Sequence, residues 1–287
     1  MKDNIHIILD SVSAVQETEY VNDARIHLIR LIVNHGDEEW LDGERSLEDM
    51  FALVKKTGKL PRTSQPPIGK ILEMYNTLIN QGKKVIFITV DSALSGTYQT
   101  ACSVAKQVMD ANKEADIRVI DSKTAAAPIT GFAMQLLQKI DSGCEDMDEL
   151  ERYGNDLVAR TATYFSVNTL EYLRKGGRIG KASALIGSIL GIRPILHLDK
   201  EGRVEVADKC RSRKKVLKRI VEIANDEGAL EAIYVSNACA EEDATTLEQE
   251  MQALYPGVPT LKTSIGTVLS AHLGPGVIGL FVTRKKS

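Results

Sequence analysis

Apolar residues in this chain fall into short β-branched runs, separated by longer stretches in which they recur every three or four positions. That alternation of periods predicts strands layered with helices. Ile5-His6-Ile7-Ile8-Leu9 reads as a buried first strand, and Ile26 to Val33 as a second extended run. Ser46 caps a predicted helix through Lys56, with Asp49 three residues on as a near-match to a capping box. Pro66-Pro67 opens a helix to about Gln81, since the fixed φ of proline suits a first turn. Val85 to Val90 is the strongest buried strand, followed by the polar loop Asp91 to Gly96 and a helix from Thr97 to Asn112. A strand at Ile117 to Ile120, then Asp121-Ser122 and a helix from Pro128 to Ile140, complete a first half.

A helix from Met147 to Arg160 bridges to a second half that opens on the strand Thr163 to Val167. Ile192 to Leu198 and Arg203 to Val206, joined at Lys200-Glu201-Gly202, read as a hairpin, which implies a mixed sheet. Helix Ser212 to Asn225, strand Ala232 to Ser236, helix Glu241 to Leu254, strand Thr260 to Lys262 and strand Val277 to Val282 follow. The expectation is a two-domain α/β protein. Residues 1–160 would hold a mostly parallel sheet with covering helices, and residues 161–287 a mixed sheet.

Composition narrows the function. At 287 residues the chain exceeds what one core usually serves. Aromatics are 5%, too few for base-stacking nucleic-acid modules, and a net charge of −3 supplies no field for a polyanion. No nucleic-acid partner is expected. No stretch is apolar for the roughly 18 to 20 residues of a membrane span. The opening residues do not resemble a secretory leader. Cys102, Cys144, Cys210 and Cys239 are scattered without a metal-binding or disulfide spacing. The reading is a cytoplasmic protein with reduced thiols, no cofactor and no metal.

Three polar junctions could carry a site. Ser92-Ala93-Leu94-Ser95-Gly96-Thr97 lies at the end of the strongest strand, where open α/β sheets bind ligands, and it precedes a helix N-terminus that favours anions. The competing reading is that Ser95 or Thr97 only caps that helix. No glycine stands two residues before either serine, so a hydrolase nucleophile elbow is absent. Arg62-Thr63-Ser64-Gln65-Pro66 is a second hydroxyl-rich, strand-free loop, in which Thr63 or Ser64 could equally cap the next helix. Asp121-Ser122 is the third. His272, before Leu273-Gly274-Pro275-Gly276, is either a structural imidazole or a donor to an anionic head group.

Other patterns are weaker. Gly274 to Gly279 fits G-x-G-x-x-G but precedes a strand instead of opening a helix, so a dinucleotide site fails. Lys181 is followed by Ala182 where a phosphate loop needs Ser or Thr. Ala182 to Gly191, with Ala184, Gly187 and Ser188, suits close packing or the wall of an apolar tunnel. Lys209, Arg211, Arg213, Lys214, Lys215, Lys218 and Arg219 form a basic run, either a solvated face or a docking surface for an acidic partner.

Together these segments resemble the DegV family, which includes fatty-acid-binding subunits of the bacterial fatty acid kinase. The resemblance is carried in order by Asp10-Ser11, Thr63-Ser64-Gln65-Pro66, Leu94 to Gln99, Asp121-Ser122, Leu170 to Ile179, Arg193-Pro194-Ile195-Leu196 and His272 to Gly276. It implies a two-domain DegV-like α/β fold and a long-chain fatty acid whose carboxylate is held by Thr63, Ser95 and His272. It also implies an acyl-chain pocket, and a separate ATP-dependent fatty acid kinase catalytic protein that makes the acyl phosphate for phospholipid synthesis. The chain departs from the family after Ser11, at Val12-Ser13-Ala14-Val15, and again over Leu31 to Trp40. Two alternatives stay open: a binding module for another small anion such as a phosphorylated metabolite, using Arg174, Lys175 or Arg178, and an acyl-transfer enzyme using Ser95 and His272.

Overall fold

The computed structural model describes residues 4–186 and 191–286. Its first elements are β1 (Ile5–Asp10), β2 (Ile26–Ile29), β3 (Ile32–His35), β4 (Glu38–Leu41), α1 (Leu47–Thr57) and β5 (Arg62–Ser64). There follow α2 (Ile68–Asn80), β6 (Lys84–Thr89), α3 (Thr97–Ala111), β7 (Ile117–Asp121), α4 (Ala127–Asp141) and α5 (Met147–Arg160). Next come β8 (Thr161–Ser166), α6 (Glu171–Lys175), β9 (Arg193–Leu198), β10 (Val204–Cys210) and α7 (Arg213–Asn225). The chain closes with β11 (Leu230–Ala238), α8 (Glu241–Leu254), β12 (Thr260–Ser264), α9 (Thr267–Leu273) and β13 (Val277–Arg284).

Two compact units emerge, Met1–Ile32 with Ser64–Ala159, and Val33–Thr63 with Arg160–Ser287. The sequence reading drew a single boundary, after residue 160. Segment 33–63, placed in the first half by that reading, instead groups with the second unit. Local periodicity could not reveal this, because the segment has ordinary strand and helix signals and only its packing partners differ.

The first unit is built on a four-stranded sheet in the order β2-β1-β6-β7, with every pair parallel. All six residues of β1 are buried, as expected of a strand covered on both faces. One covering layer packs Ile71, Tyr75 and Leu78 of α2 and Ala101, Val104 and Val108 of α3 against Ile8, Val85 and Phe87. The predicted run Ile26 to Val33 is not one strand. It breaks after Ile29, and β3 joins a separate three-stranded sheet in the order β4-β3-β5. At the break the Leu31 amide donates to Ser11 Oγ at 3.1 Å, so a side chain takes the place of a ladder partner.

The second unit carries a six-stranded mixed sheet in the order β10-β9-β8-β13-β11-β12, with only β11 and β12 parallel. The hairpin β9–β10 forms as the sequence predicts, with Val204 opposite Leu198. Asp199 shapes its turn by accepting from the backbone amides of Glu201 and Arg203 at 3.0 and 2.9 Å. Val216 and Ile220 of α7 and Leu247 of α8 pack on Ile233, Val235 and Leu280 of the sheet.

Asp10, at the carboxyl end of β1, is fully buried. Its two oxygens accept the amides of Val12 at 3.1 Å and Val90 at 2.7 Å, which joins the ends of β1 and β6. Removing a carboxylate that satisfies two buried donors costs about 3 kcal/mol. Asp10→Ala should therefore lower the urea midpoint by that equivalent; a change below about 1 kcal/mol would show that the strand ends hold without it.

Candidate functional site

In the first unit, β6 runs into the loop that leads to α3. Asp91 is buried there, and its carboxylate accepts the Ala93 amide at 2.9 Å while its carbonyl accepts the amides of Leu94 and Ser95 at 3.0 and 3.1 Å. Ser95 Oγ lies 2.9 Å from Thr97 Oγ1 and accepts the Thr97 amide at 3.3 Å. The N-cap of α3 is Gly96, which has no side chain to contribute. Ser95 is thus not the N-cap of α3; it is half-buried, with the Thr97 hydroxyl beside its own.

A Cβ on Gly96 would stand 2.6 Å from Gln65 Oε1, which Thr100 Oγ1 meets at 3.1 Å. The glycine of the Leu94–Thr97 motif and the glutamine of the Thr63–Pro66 motif are therefore one packing feature. Asp121 is also structural. It accepts the amides of Ser92 at 3.0 Å and Lys123 at 3.2 Å, and pairs with Lys123 Nζ at 2.7 Å. Lys123 Nζ in turn donates to Ser92 Oγ at 3.0 Å. Ser122 donates to the Thr124 carbonyl at 3.0 Å. These residues set the shape of the loops at the carboxyl ends of the strands.

In the second unit, Thr63 and His272 meet directly, with Thr63 Oγ1 2.8 Å from His272 Nε2. Two expectations change here. Arg62–Ser64 is a strand, β5, not a strand-free loop, and α2 has Pro67 at its N-cap, so neither Thr63 nor Ser64 caps it. His272 belongs to the last turn of the seven-residue helix α9, which the sequence reading passed over. A helix of that length leaves too short an apolar pattern to register.

The imidazole is tightly enclosed. Its Nδ1 is buried without a hydrogen-bond partner, and a Cβ on Gly176 would lie 2.3 Å from it. Burial, and secondly the positive charge of Arg178, depress the His272 pKa to about 4 from 6.5. The ring is neutral at pH 7. Arg178 is itself oriented by donating to the Gly176 carbonyl at 2.6 Å.

A cavity of about 780 Å³ opens beside this pair, with Lys59, Arg62, Lys175 and Arg178 on its walls and no acidic side chain among the described residues that line it. Lys59 and Arg62 carried no signal in the sequence beyond being basic residues near a hydroxyl-rich motif. An anionic head group would meet a hydroxyl, a neutral imidazole and basic side chains here, although Lys175 also pairs with Glu171 at 2.8 Å.

The other singled-out residues have ordinary partners. Lys181 pairs with Glu205 and, at 3.3 Å, with Asp199, so the phosphate-loop likeness ends in ion pairs. In the basic run, Arg213 pairs with Asp243 at 2.7 Å and Arg219 with Asp208 at 2.6 Å. Lys209, Arg211, Lys214, Lys215 and Lys218 are exposed. Of the apolar tract, Ala182 and Leu185 are buried in a 3-10 turn, while Gly187 and Ser188 lie outside the described residues. No three His, Cys, Asp or Glu side chains cluster as metal ligands among the described residues, and no described helix is long and apolar enough to cross a membrane.

Comparison with known proteins adds relatives to this geometry. A family model described as "Uncharacterised protein, DegV family" matches residues 4–285. Protein DegV of Bacillus subtilis is 31% identical over 281 residues, covering 96% of this chain and 98% of the relative. Among solved structures, a DegV family protein from Thermus thermophilus described by its fatty acid binding gives a TM-score of 0.87 at 26% identity, over 98% of this chain and 100% of that one. DegV of Bacillus subtilis, described as a fatty acid binding protein, gives 0.84 at 29% identity, over 98% and 99% of the two chains. With a family model spanning nearly its whole length and a relative matched almost end to end, this chain belongs to the DegV family.

Proposed function

We propose that this protein binds a long-chain fatty acid, holding its carboxylate at Thr63 and His272. The observation that carries the reading is the Thr63 Oγ1–His272 Nε2 contact of 2.8 Å beside a cavity walled by basic side chains. If Nε2 carries the imidazole proton, it donates to Thr63 Oγ1, and the threonine hydroxyl hydrogen is free for a carboxylate oxygen. The fatty acid binding described for the Thermus thermophilus and Bacillus subtilis relatives supports the ligand class. Ser95 is the third proposed contact, a role that rests on its place in the Leu94-Ser95-Gly96-Thr97 motif. Burying about 14 methylenes offers on the order of 11 kcal/mol before binding costs, so the tail supplies affinity and the polar groups set orientation.

In this reading the protein is a carrier with no chemistry of its own. It presents the carboxylate to a separate ATP-dependent kinase, and the acyl phosphate enters phospholipid synthesis. Its setting is the cytoplasm, with which four free thiols agree. An acyl-transfer role for Ser95 and His272 is disfavoured, because His272 Nε2 is engaged by Thr63 and the Ser95 hydroxyl by Thr97. The exposed Lys214 and Lys215 are proposed to dock the kinase.

Three outcomes test the reading. Thr63→Val and Ser95→Ala should each weaken oleate binding about 10- to 100-fold, the value of one hydrogen bond to a charged group, by isothermal titration calorimetry. Unchanged affinity in both would remove the head group from these residues. Lys214→Glu with Lys215→Glu should slow kinase-dependent acyl-phosphate formation while leaving oleate affinity intact; equal rates would dismiss the docking surface.

The pH response follows from His272. The unfolded chain takes up this proton near 6.5 and the native chain near 4, so between those values the unfolded state binds more protons. Stability attributable to the neutral ring is complete above about 6.5 and is lost, by at most about 3 kcal/mol, as pH falls toward 4. His272→Asn should flatten this acid limb in denaturant titrations. A carboxylate beside the ring favours its charged form, so saturating oleate should raise the His272 titration midpoint measured by NMR. An unmoved midpoint would put the head group elsewhere.

A further inference from the structure

We propose that Asp42 is a positioning residue for the His272 imidazole, its buried carboxylate capping α9 from a distant loop and so fixing the helix that carries the ring. The proposal concerns geometry within the second unit, and its consequence for ligand affinity rests on the fatty-acid reading above.

On its own, α9 is weakly held. It is seven residues long, and its N-cap is Gly266, with no side chain to satisfy the first amides. A helix this short has little stability of its own, and nearly all its backbone groups are terminal. Its placement therefore depends on tertiary partners. Asp42 supplies the missing cap: its Oδ1 accepts from Thr267 Oγ1 at 2.8 Å and from the Val268 amide at 3.1 Å. Those partners are 225 and 226 residues away in the chain. Asp42 is only 1% exposed, so these bonds are made in a desolvated setting where a missing acceptor is costly.

The glycine belongs to the same device. A Cβ at position 266 would stand 2.6 Å from Asp42 Oδ1, so any other residue there would push the carboxylate off the helix. A local Ser or Asp cap is thereby excluded in favour of a remote one.

His272 lies five residues beyond Thr267, about 7.5 Å along the axis at 1.5 Å per residue. Its ring is held by Thr63 on one nitrogen and enclosed by Gly176 at the other. Asp42 and Thr63 both belong to segment 33–63, which grips α9 once at its start and once at its end. A shift of the helix start by a few tenths of an ångström would be carried directly to the ring, because two turns cannot absorb it.

The test uses full-length protein with isotope-labelled histidine and two readouts, the His272 NMR signals without ligand and the affinity for oleate. Asp42→Ala should move the His272 ring signals, bring their titration midpoint up from about 4 toward 6.5, and weaken oleate roughly 10-fold, the scale of a lost cap. Asp42→Asn, which keeps an oxygen for Thr267 and Val268, should stay within about twofold of the parent in affinity and leave the ring signals in place. Should Asp42→Ala not fold, Thr267→Val removes one of the two bonds and should move the same signals in the same direction. Folded Asp42→Ala, or Thr267→Val in its stead, with unchanged His272 signals overturns the proposal. Displaced signals with oleate affinity indifferent to His272→Ala would support positioning by Asp42 while removing the head-group reading.

Discussion

A buried imidazole must be neutral or paired, and His272 meets that demand through one bond to Thr63, a residue 209 positions away. Much of the second unit follows from it. β5 has to deliver Thr63 to the end of α9, α9 has to stay folded at seven residues, and the chain at Gly176 has to come close enough to enclose the ring. Burial, and secondly Arg178, hold the pKa down, so the ring lies beside the neighbouring cavity as a neutral group, with basic side chains on the cavity wall. That combination suits an anion that should be oriented but not attacked.

In the first unit the polar residues at the strand ends do different work. Asp10, Ser11, Asp91 and Asp121 spend their oxygens on backbone amides of their own and neighbouring loops at the carboxyl ends of the strands. Buried loop amides need acceptors, and short acidic or hydroxylated side chains at strand ends provide them where the ladder stops. A motif can therefore be rich in polar residues because it builds a loop, with only one or two members left to meet a ligand. Ser95, half-buried with its hydroxyl 2.9 Å from Thr97 Oγ1, is the member of its loop proposed above for that role.

Much of this was legible in the chain. The strands β1, β6, β7, β11 and β13 follow short apolar runs rich in β-branched residues, and the β9–β10 hairpin follows its alternation and turn residues. The hydroxyl-rich motifs and His272 could be picked out, and their order pointed to the family. What escaped was short or remote. β5 has three residues and α9 seven, below the length at which a hydrophobic period can be read. Asp42 carries no motif of its own, and Lys59 and Arg62 gain meaning only from sharing a cavity wall with Lys175 and Arg178.

The sequence by itself determined the layered α/β architecture, the parallel and mixed sheets, and the family, because these depend on local periodicity and on ordered motifs. Only the tertiary structure decided that segment 33–63 packs with the second unit, that Thr63 bonds His272, and that Asp42 caps the helix between them. The physical reason is that a polar side chain far from any periodic pattern finds its partner only after burial removes water as the alternative. Nothing in the local chain marks which of 39 acidic residues will be buried, as Asp10, Asp42 and Asp91 are, or which donors each will meet.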